Sequence, residues 1–258
     1  MIDLSLPPAD LYIAALGRSG STMLANLLTT PPTRWLIVEP RFANATTGRD
    51  VLAQARSVGI AIGDDEWPLR VDETPEQRIG RIFRDRILAL EKWGVKEVRH
   101  DVLVASLDIL RPKHTIVLVR DLRDVAVSLY EKARRDDDPR YDDEWLRTYL
   151  TQAPGGILAV VDALGGRDHR IVRYEDLTGD AGVRAELGQW LDWPLDGRPD
   201  RNLAALFQRA HEVELHDGAV TRRSVGRHAS GELSPGARSI AAWAHRNGAE
   251  FQDRFGYG

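Results

Sequence analysis

Apolar positions follow two rhythms along the chain. Leu11-Tyr12-Ile13-Ala14-Ala15-Leu16, Trp35-Leu36-Ile37-Val38 and Thr115-Ile116-Val117-Leu118-Val119 are short unbroken runs. Runs of this length that do not alternate predict strands buried on both faces. The stretch around Val95 and residues His169 to Tyr174 read as two more strands. Between them, three- and four-residue spacing predicts helices over Met23–Leu28, Glu76–Trp93, Val125–Arg134 and Ile157–Leu164. Pro31-Pro32 stops the first of these. In the second, Ile79, Ile82, Phe83, Ile87 and Leu90 form the apolar stripe. Residues 45–75 are polar and irregular, with a turn at Gly63-Asp64-Asp65, and Arg134 to Asp143 is a charged loop. Beyond residue 174 the pattern is mostly helical, interrupted by a polar, glycine-containing stretch from Asp217 to Gly236. Strands alternating with helices predict an α/β fold with a parallel sheet covered on both faces. No Pro/Gly/Ser linker divides the chain, so residues 1–258 read as one domain, with a helical region around 135–165 packed on it.

Composition narrows the function. Among 258 residues, Lys and Arg number 35 and Asp and Glu 39, a net charge of −4. That balance argues against general nucleic-acid binding, which draws on an excess of basic charge, but allows a local site for a small anion. Cysteine is absent, which excludes disulfides and thiolate metal sites. No apolar run approaches the ~20 residues of a membrane span, and the first residues lack a signal-peptide pattern, so no membrane association and a cytoplasmic location are expected. Arg outnumbers Lys 31 to 4, a bias typical of a GC-rich bacterial genome. His211 and His216 are the nearest approach to a ligand cluster, and their spacing fits no common metal site.

Two turns carry candidate chemistry. The first, Gly17-Arg18-Ser19-Gly20-Ser21-Thr22, joins a strand to a helix. Such a turn offers free backbone N–H groups at the positive end of the helix dipole. Ser19, Ser21 and Thr22 add hydroxyls, and Arg18 adds a planar cation suited to phosphate or sulfate. It is not a Walker A loop, because the lysine of that motif is missing. The second turn begins at Arg120, at the carboxyl end of a strand, where open α/β sheets collect ligands. Ser128 follows in the next helix, so an anion there would meet Arg120, the Ser128 hydroxyl and the helix dipole together. Two such turns suggest a ligand with two separated anionic groups.

Four segments together resemble one family. Gly17–Thr22 resembles the 5′-phosphosulfate loop of the sulfotransferases, and Arg120-Asp121-Leu122-Arg123-Asp124-Val125-Ala126-Val127-Ser128 resembles their 3′-phosphate motif. Arg173-Tyr174-Glu175-Asp176-Leu177 is similar to the family's Tyr-Glu-Asp segment. Ser224-Val225-Gly226-Arg227-His228 is similar to the Ser-x-Gly-Arg-Trp stretch that closes over the 3′-phosphate, with His228 where Trp is frequent and Arg222-Arg223 beside it. Leu122 stands where Pro is frequent. The resemblance implies a three-layer, P-loop NTPase-like fold with a central, mostly parallel sheet flanked by helices. It implies 3′-phosphoadenosine 5′-phosphosulfate (PAPS) as co-substrate, no metal, and transfer of a sulfuryl group in line to a hydroxyl or amine of a small-molecule, sugar or peptide acceptor. Oligomeric state stays open.

The same resemblance distributes roles. Arg18 and the loop amides would neutralise the leaving phosphate. Ser19, Gly20, Ser21, Thr22, Arg120, Ser128, Tyr174, Ser224, Val225, Gly226 and Arg227 would bind the nucleotide. An acceptor hydroxyl also needs a base. Glu39, after the second strand, is the first choice. His100, shortly after Lys96, is the rival; Lys96 would touch the sulfate or the leaving oxygen, and Asp101 would orient His100. Trp67, Tyr141 and Trp145 either line the acceptor pocket or fill the core. The alternatives are a P-loop-like nucleotide-dependent kinase and a non-catalytic nucleotide-binding module.

Overall fold

The structure, a computed structural model, describes residues 6–44, 49–137, 141–197 and 220–258. Five strands form one sheet: β1 (Leu11–Ala15), β2 (Arg34–Val38), β3 (Lys92–Glu97), β4 (His114–Val119) and β5 (His169–Arg173). Their order is β2-β3-β1-β4-β5, and every pairing is parallel. All five residues of central β1 are buried, as its unbroken apolar run requires.

Alternation along the strands splits the core into two layers. Tyr12, Ala14, Ile37, Val95 and Val117 face one side. There they pack on α3 (Pro75–Leu88), α4 (Leu103–Leu110), α5 (Leu122–Asp136) and α6 (Asp143–Leu164). Leu11, Ile13, Leu36 and Ile116 face the other side, against α1 (Ser21–Leu28), α7 (Tyr174–Gly179) and α8 (Ala181–Leu191). Two later helices, α9 (Pro235–Asn247) and α10 (Ala249–Arg254), add Ile240 and Phe251 to the first layer. The result is the three-layer α/β architecture expected from the alternation of strands and helices.

This topology places the site. Neighbouring strands β1 and β4 send their following helices, α1 and α5, to opposite faces of the sheet. Such a switch point opens a crevice at the carboxyl ends of the strands.

Three expectations need correction. The helix expected over Glu76–Trp93 ends at Leu88, because Lys92–Glu97 joins the sheet instead. Trp93 pairs with Trp35, and Gly94 lets the strands close: a Cβ there would lie 2.4 Å from the Leu11 carbonyl oxygen. Residues 45–75 are not irregular throughout. Val51, Leu52, Ala55 and Val58 turn one buried stripe inward over a helix at Arg49–Ser57, termed α2. The helix read at Ile157–Leu164, inside a helical region expected around 135–165, is the second half of one continuous helix that begins at Asp143 and runs through Pro154. Buried Leu146, Leu150, Ala153 and Ile157 hold it against the core, which outweighs the cost of an interior proline.

Candidate active site

The Gly17–Thr22 turn is shaped by close approach. Gly20 caps α1 with φ +82°, the left-handed region that glycine enters without strain. A Cβ at Gly20 would lie 2.3 Å from the Tyr174 ring. No side chain caps α1, so its first turn keeps the amides an anion needs. Arg18 is itself left-handed, with φ +67°. Ser19 departs from expectation. It is fully buried, and its hydroxyl donates to the Leu16 carbonyl at 2.6 Å, so that proton holds the turn rather than a ligand.

Beside this turn lies a charged pair. Gln54 closes the edge of β2, accepting from the Val38 N–H at 2.7 Å and donating to the Val38 carbonyl at 2.8 Å. Glu39 follows with φ +51°, and its N–H donates to the Lys96 carbonyl. Its carboxylate accepts from Lys96 Nζ at 2.5 Å. Lys96 is 2% exposed, whereas 40% of the Glu39 side chain reaches solvent. Burial tends to raise the Glu39 pKa, but the Lys96 charge and hydrogen bond, aided by Arg41 and Arg18, hold it below the usual value. Glu97, next along β3, is 2% exposed. Burial and then the Glu39 charge push its pKa up.

His100 meets the Tyr149 ring edge-on at 6.3 Å, and Gly156 of α6 packs against its Cβ. Asp101 does not orient it through a hydrogen bond; its carboxylate accepts from Arg99 Nη2 at 2.5 Å. Tyr141 packs on Trp145, which stacks on Tyr149 at 5.3 Å. Trp67 packs against the core beneath the Arg78 guanidinium.

The second turn closes on the first. Arg120 is 3% exposed; its Nη1 donates to the Arg18 carbonyl at 2.7 Å and its Nη2 to the Ser224 carbonyl. Its guanidinium lies over the Tyr174 ring at 4.6 Å, and the Tyr174 hydroxyl meets Ser224 Oγ at 3.2 Å. Arg18 Nε donates to Ser128 Oγ at 3.2 Å, so the side chain of each arginine reaches the other's segment. The buried Arg120 Nε has no hydrogen-bond partner. An unspent donor on a buried cation suits an anionic ligand.

The dipole of α5 does not serve that anion as expected. Its leading amides are already filled: Asp121 N–H by Glu175, Leu122 N–H by Gln252 and Arg123 N–H by the Asp121 carboxylate. Tyr257 in turn donates to Glu175 at 2.6 Å. Asp124, 1% exposed, accepts from Gly226 N–H at 2.7 Å, His228 N–H at 2.9 Å and His228 Nδ1 at 2.8 Å. It thereby fixes the loop that carries Ser224, Val225 and Gly226. Arg227 turns aside to Glu131 at 2.7 Å.

No family model matches the chain, and no curated protein sequence does. Solved structures do. The sulfotransferase domain from the curacin biosynthetic pathway superposes with a TM-score of 0.59 at 14% identity, over 98% of this chain and 99% of that one. The sulfotransferase domain of the Synechococcus PCC 7002 olefin synthase gives 0.55 at 17% identity, over 98% and 96%. Mouse sulfotransferase SULT7A1, solved in complex with PAP, gives 0.51 at 12%, over 99% and 92%. The chain has the sulfotransferase fold.

Several residues around the crevice of this sulfotransferase fold escaped the reading of the sequence. Tyr149 reaches Gly17 across 132 positions, and only its i, i+4 spacing from Trp145 hinted at a shared face. Asp124 stood inside the second motif with no role assigned to it, yet it anchors the late loop and lies 3.7 Å from Arg120 Nη2. Gln54, Gln252 and Tyr257 gave no signal. Among the described residues, no group of three or more His, Asp or Glu could hold a metal ion, and no helix is long and apolar enough to cross a membrane. His211 and His216 lie outside the described residues.

Proposed function

We propose that the chain is a PAPS-dependent sulfotransferase. The observation that carries this reading is the joining of the two arginine-bearing turns. Arg120 bonds the Arg18 carbonyl and Arg18 bonds Ser128, at the sheet's switch point. The two turns and the uncapped α1 thereby meet at the carboxyl ends of β1 and β4, the arrangement a ligand with two separated anionic groups calls for. SULT7A1, of the same fold, was solved with PAP bound.

The donor supplies an activated sulfuryl group. Arg18 and the amides of Ser21 and Thr22 neutralise charge that builds on the leaving phosphate. Arg120, Ser128 and the Ser224–Gly226 loop hold the 3′-phosphate, and Tyr174 supports both turns. Glu39 is the base. Lys96 and the neighbouring arginines keep its carboxylate ionised and positioned to take a proton. Lys96, tied to Glu39, sets that charge, and His100 orients the acceptor side through the Tyr149 ring.

Calorimetry with adenosine 3′,5′-bisphosphate, paired with transfer of labelled sulfate from PAPS to a panel of alcohols, phenols and amines, tests the reading. Binding with transfer is expected. Absence of binding at millimolar concentration, or turnover of Mg·ATP in its place, would overturn it. Binding without transfer to any acceptor would favour a non-catalytic module.

A further inference from the structure

Tyr149 sits on α6 with its ring held from two sides, stacked on Trp145 at 16° and met edge-on by His100. Its Oη accepts the Gly17 N–H at 2.7 Å, at the first residue of the turn. Gly17 permits this approach, since a Cβ there would lie 2.7 Å from Oη. With the ring fixed, the hydroxyl keeps one freedom, rotation of O–H about the C–O bond. No described residue accepts that proton. Burial raises the Tyr149 pKa to about 12; the Gly17 N–H and Arg18 pull it down and the Glu39 charge pushes it up. The group therefore stays protonated at neutral pH, a donor within the electrostatic reach of both Arg18 and Glu39.

Resting on the sulfotransferase reading, we propose that Tyr149 orients the acceptor and selects hydroxyls over amines. Its O–H donates to one lone pair of the acceptor oxygen, while the acceptor's own proton points to the Glu39 carboxylate. The second lone pair is left to attack sulfur. As the new S–O bond forms, the bond from sulfur to the phosphate oxygen breaks and its electron pair leaves on that phosphate. The acceptor proton passes to Glu39, and Tyr149 keeps its own. An alcohol or phenol has the two lone pairs and one proton this arrangement uses. A neutral amine has a single lone pair, which the Tyr149 O–H would tie up, and an ammonium has none.

The test compares wild type with Tyr149→Phe on matched acceptors, phenol against aniline and benzyl alcohol against benzylamine. Bisphosphate affinity and thermal midpoint are read in parallel. Wild type is expected to favour the hydroxyl of each pair. Tyr149→Phe should lose roughly 10–100-fold in kcat/KM on hydroxyls, hold or gain rate on neutral amines whose lone pair it frees, and hold bisphosphate affinity. A wild type that prefers amines, equal losses on both acceptor classes, or affinity falling in step with rate would overturn the assignment, the last showing that Tyr149 only tethers Gly17. Should the variant not fold, 3-fluorotyrosine at 149 keeps the shape and lowers the phenol pKa. The ratio of hydroxyl to amine rates is then expected to change, and an unmoved ratio counts against the proposal. A wild type that binds no bisphosphate removes the sulfotransferase reading itself, a failure distinct from altered acceptor preference in a protein that binds it.

Discussion

Truncating either member of the Glu39–Lys96 pair should have unequal consequences for stability. Lys96 is 2% exposed, and Glu39 is its carboxylate partner at 2.5 Å. Glu39→Ala leaves a buried ammonium without its counter-charge, a loss of about 3–5 kcal/mol in comparable pairs. Lys96→Met removes the buried charge with a side chain of similar reach. It leaves Glu39 with 40% of its side chain in solvent, so the change should stay within about 1 kcal/mol. Urea unfolding of both variants at pH 7 measures the difference. Equal destabilisation by the two substitutions would refute the reasoning.

Glu97 has a folded-state pKa raised by burial and by Glu39, so its favourable contribution is complete below about pH 4.3, the unfolded value, and is lost as pH rises through the folded one. Glu97→Gln should therefore stabilise the protein at pH 8 and have little effect at pH 4, and unfolding curves at the two pH values would show the opposite order if the sign is wrong. Gly20→Ala combines a left-handed backbone, about 1–2 kcal/mol, with displacement of the Tyr174 ring, about 1–3 kcal/mol. A loss under about 0.5 kcal/mol, the scatter of surface substitutions, would contradict the packing described. Arg18→Ala should mainly slow chemistry, by about 10²–10³-fold in kcat, whereas Arg120→Ala should mainly weaken bisphosphate binding. Matching effects on rate and affinity in the two variants would dissolve the division of labour between the turns.

Local signals determined a large part of this molecule. The unbroken runs at Leu11–Ala15 and Thr115–Val119 are short and end in turn residues, which favours strands buried on both faces, and the glycine turn after the first opens a helix. Short-range chemistry sufficed there, because backbone geometry and apolar length act within a few residues. The tertiary structure decided what those turns face. Pro154, Gly155 and Gly156 break a helix by local preference, yet α6 runs through them because its buried stripe packs against the core. Tyr149 reaches Gly17, Asp124 gathers the loop at 226–228, and Gln252 fills the α5 amide at Leu122 through contacts spanning more than a hundred residues. Such partners are chosen by where the sheet and its layers bring side chains together, and no periodicity or motif in the chain encodes that distance.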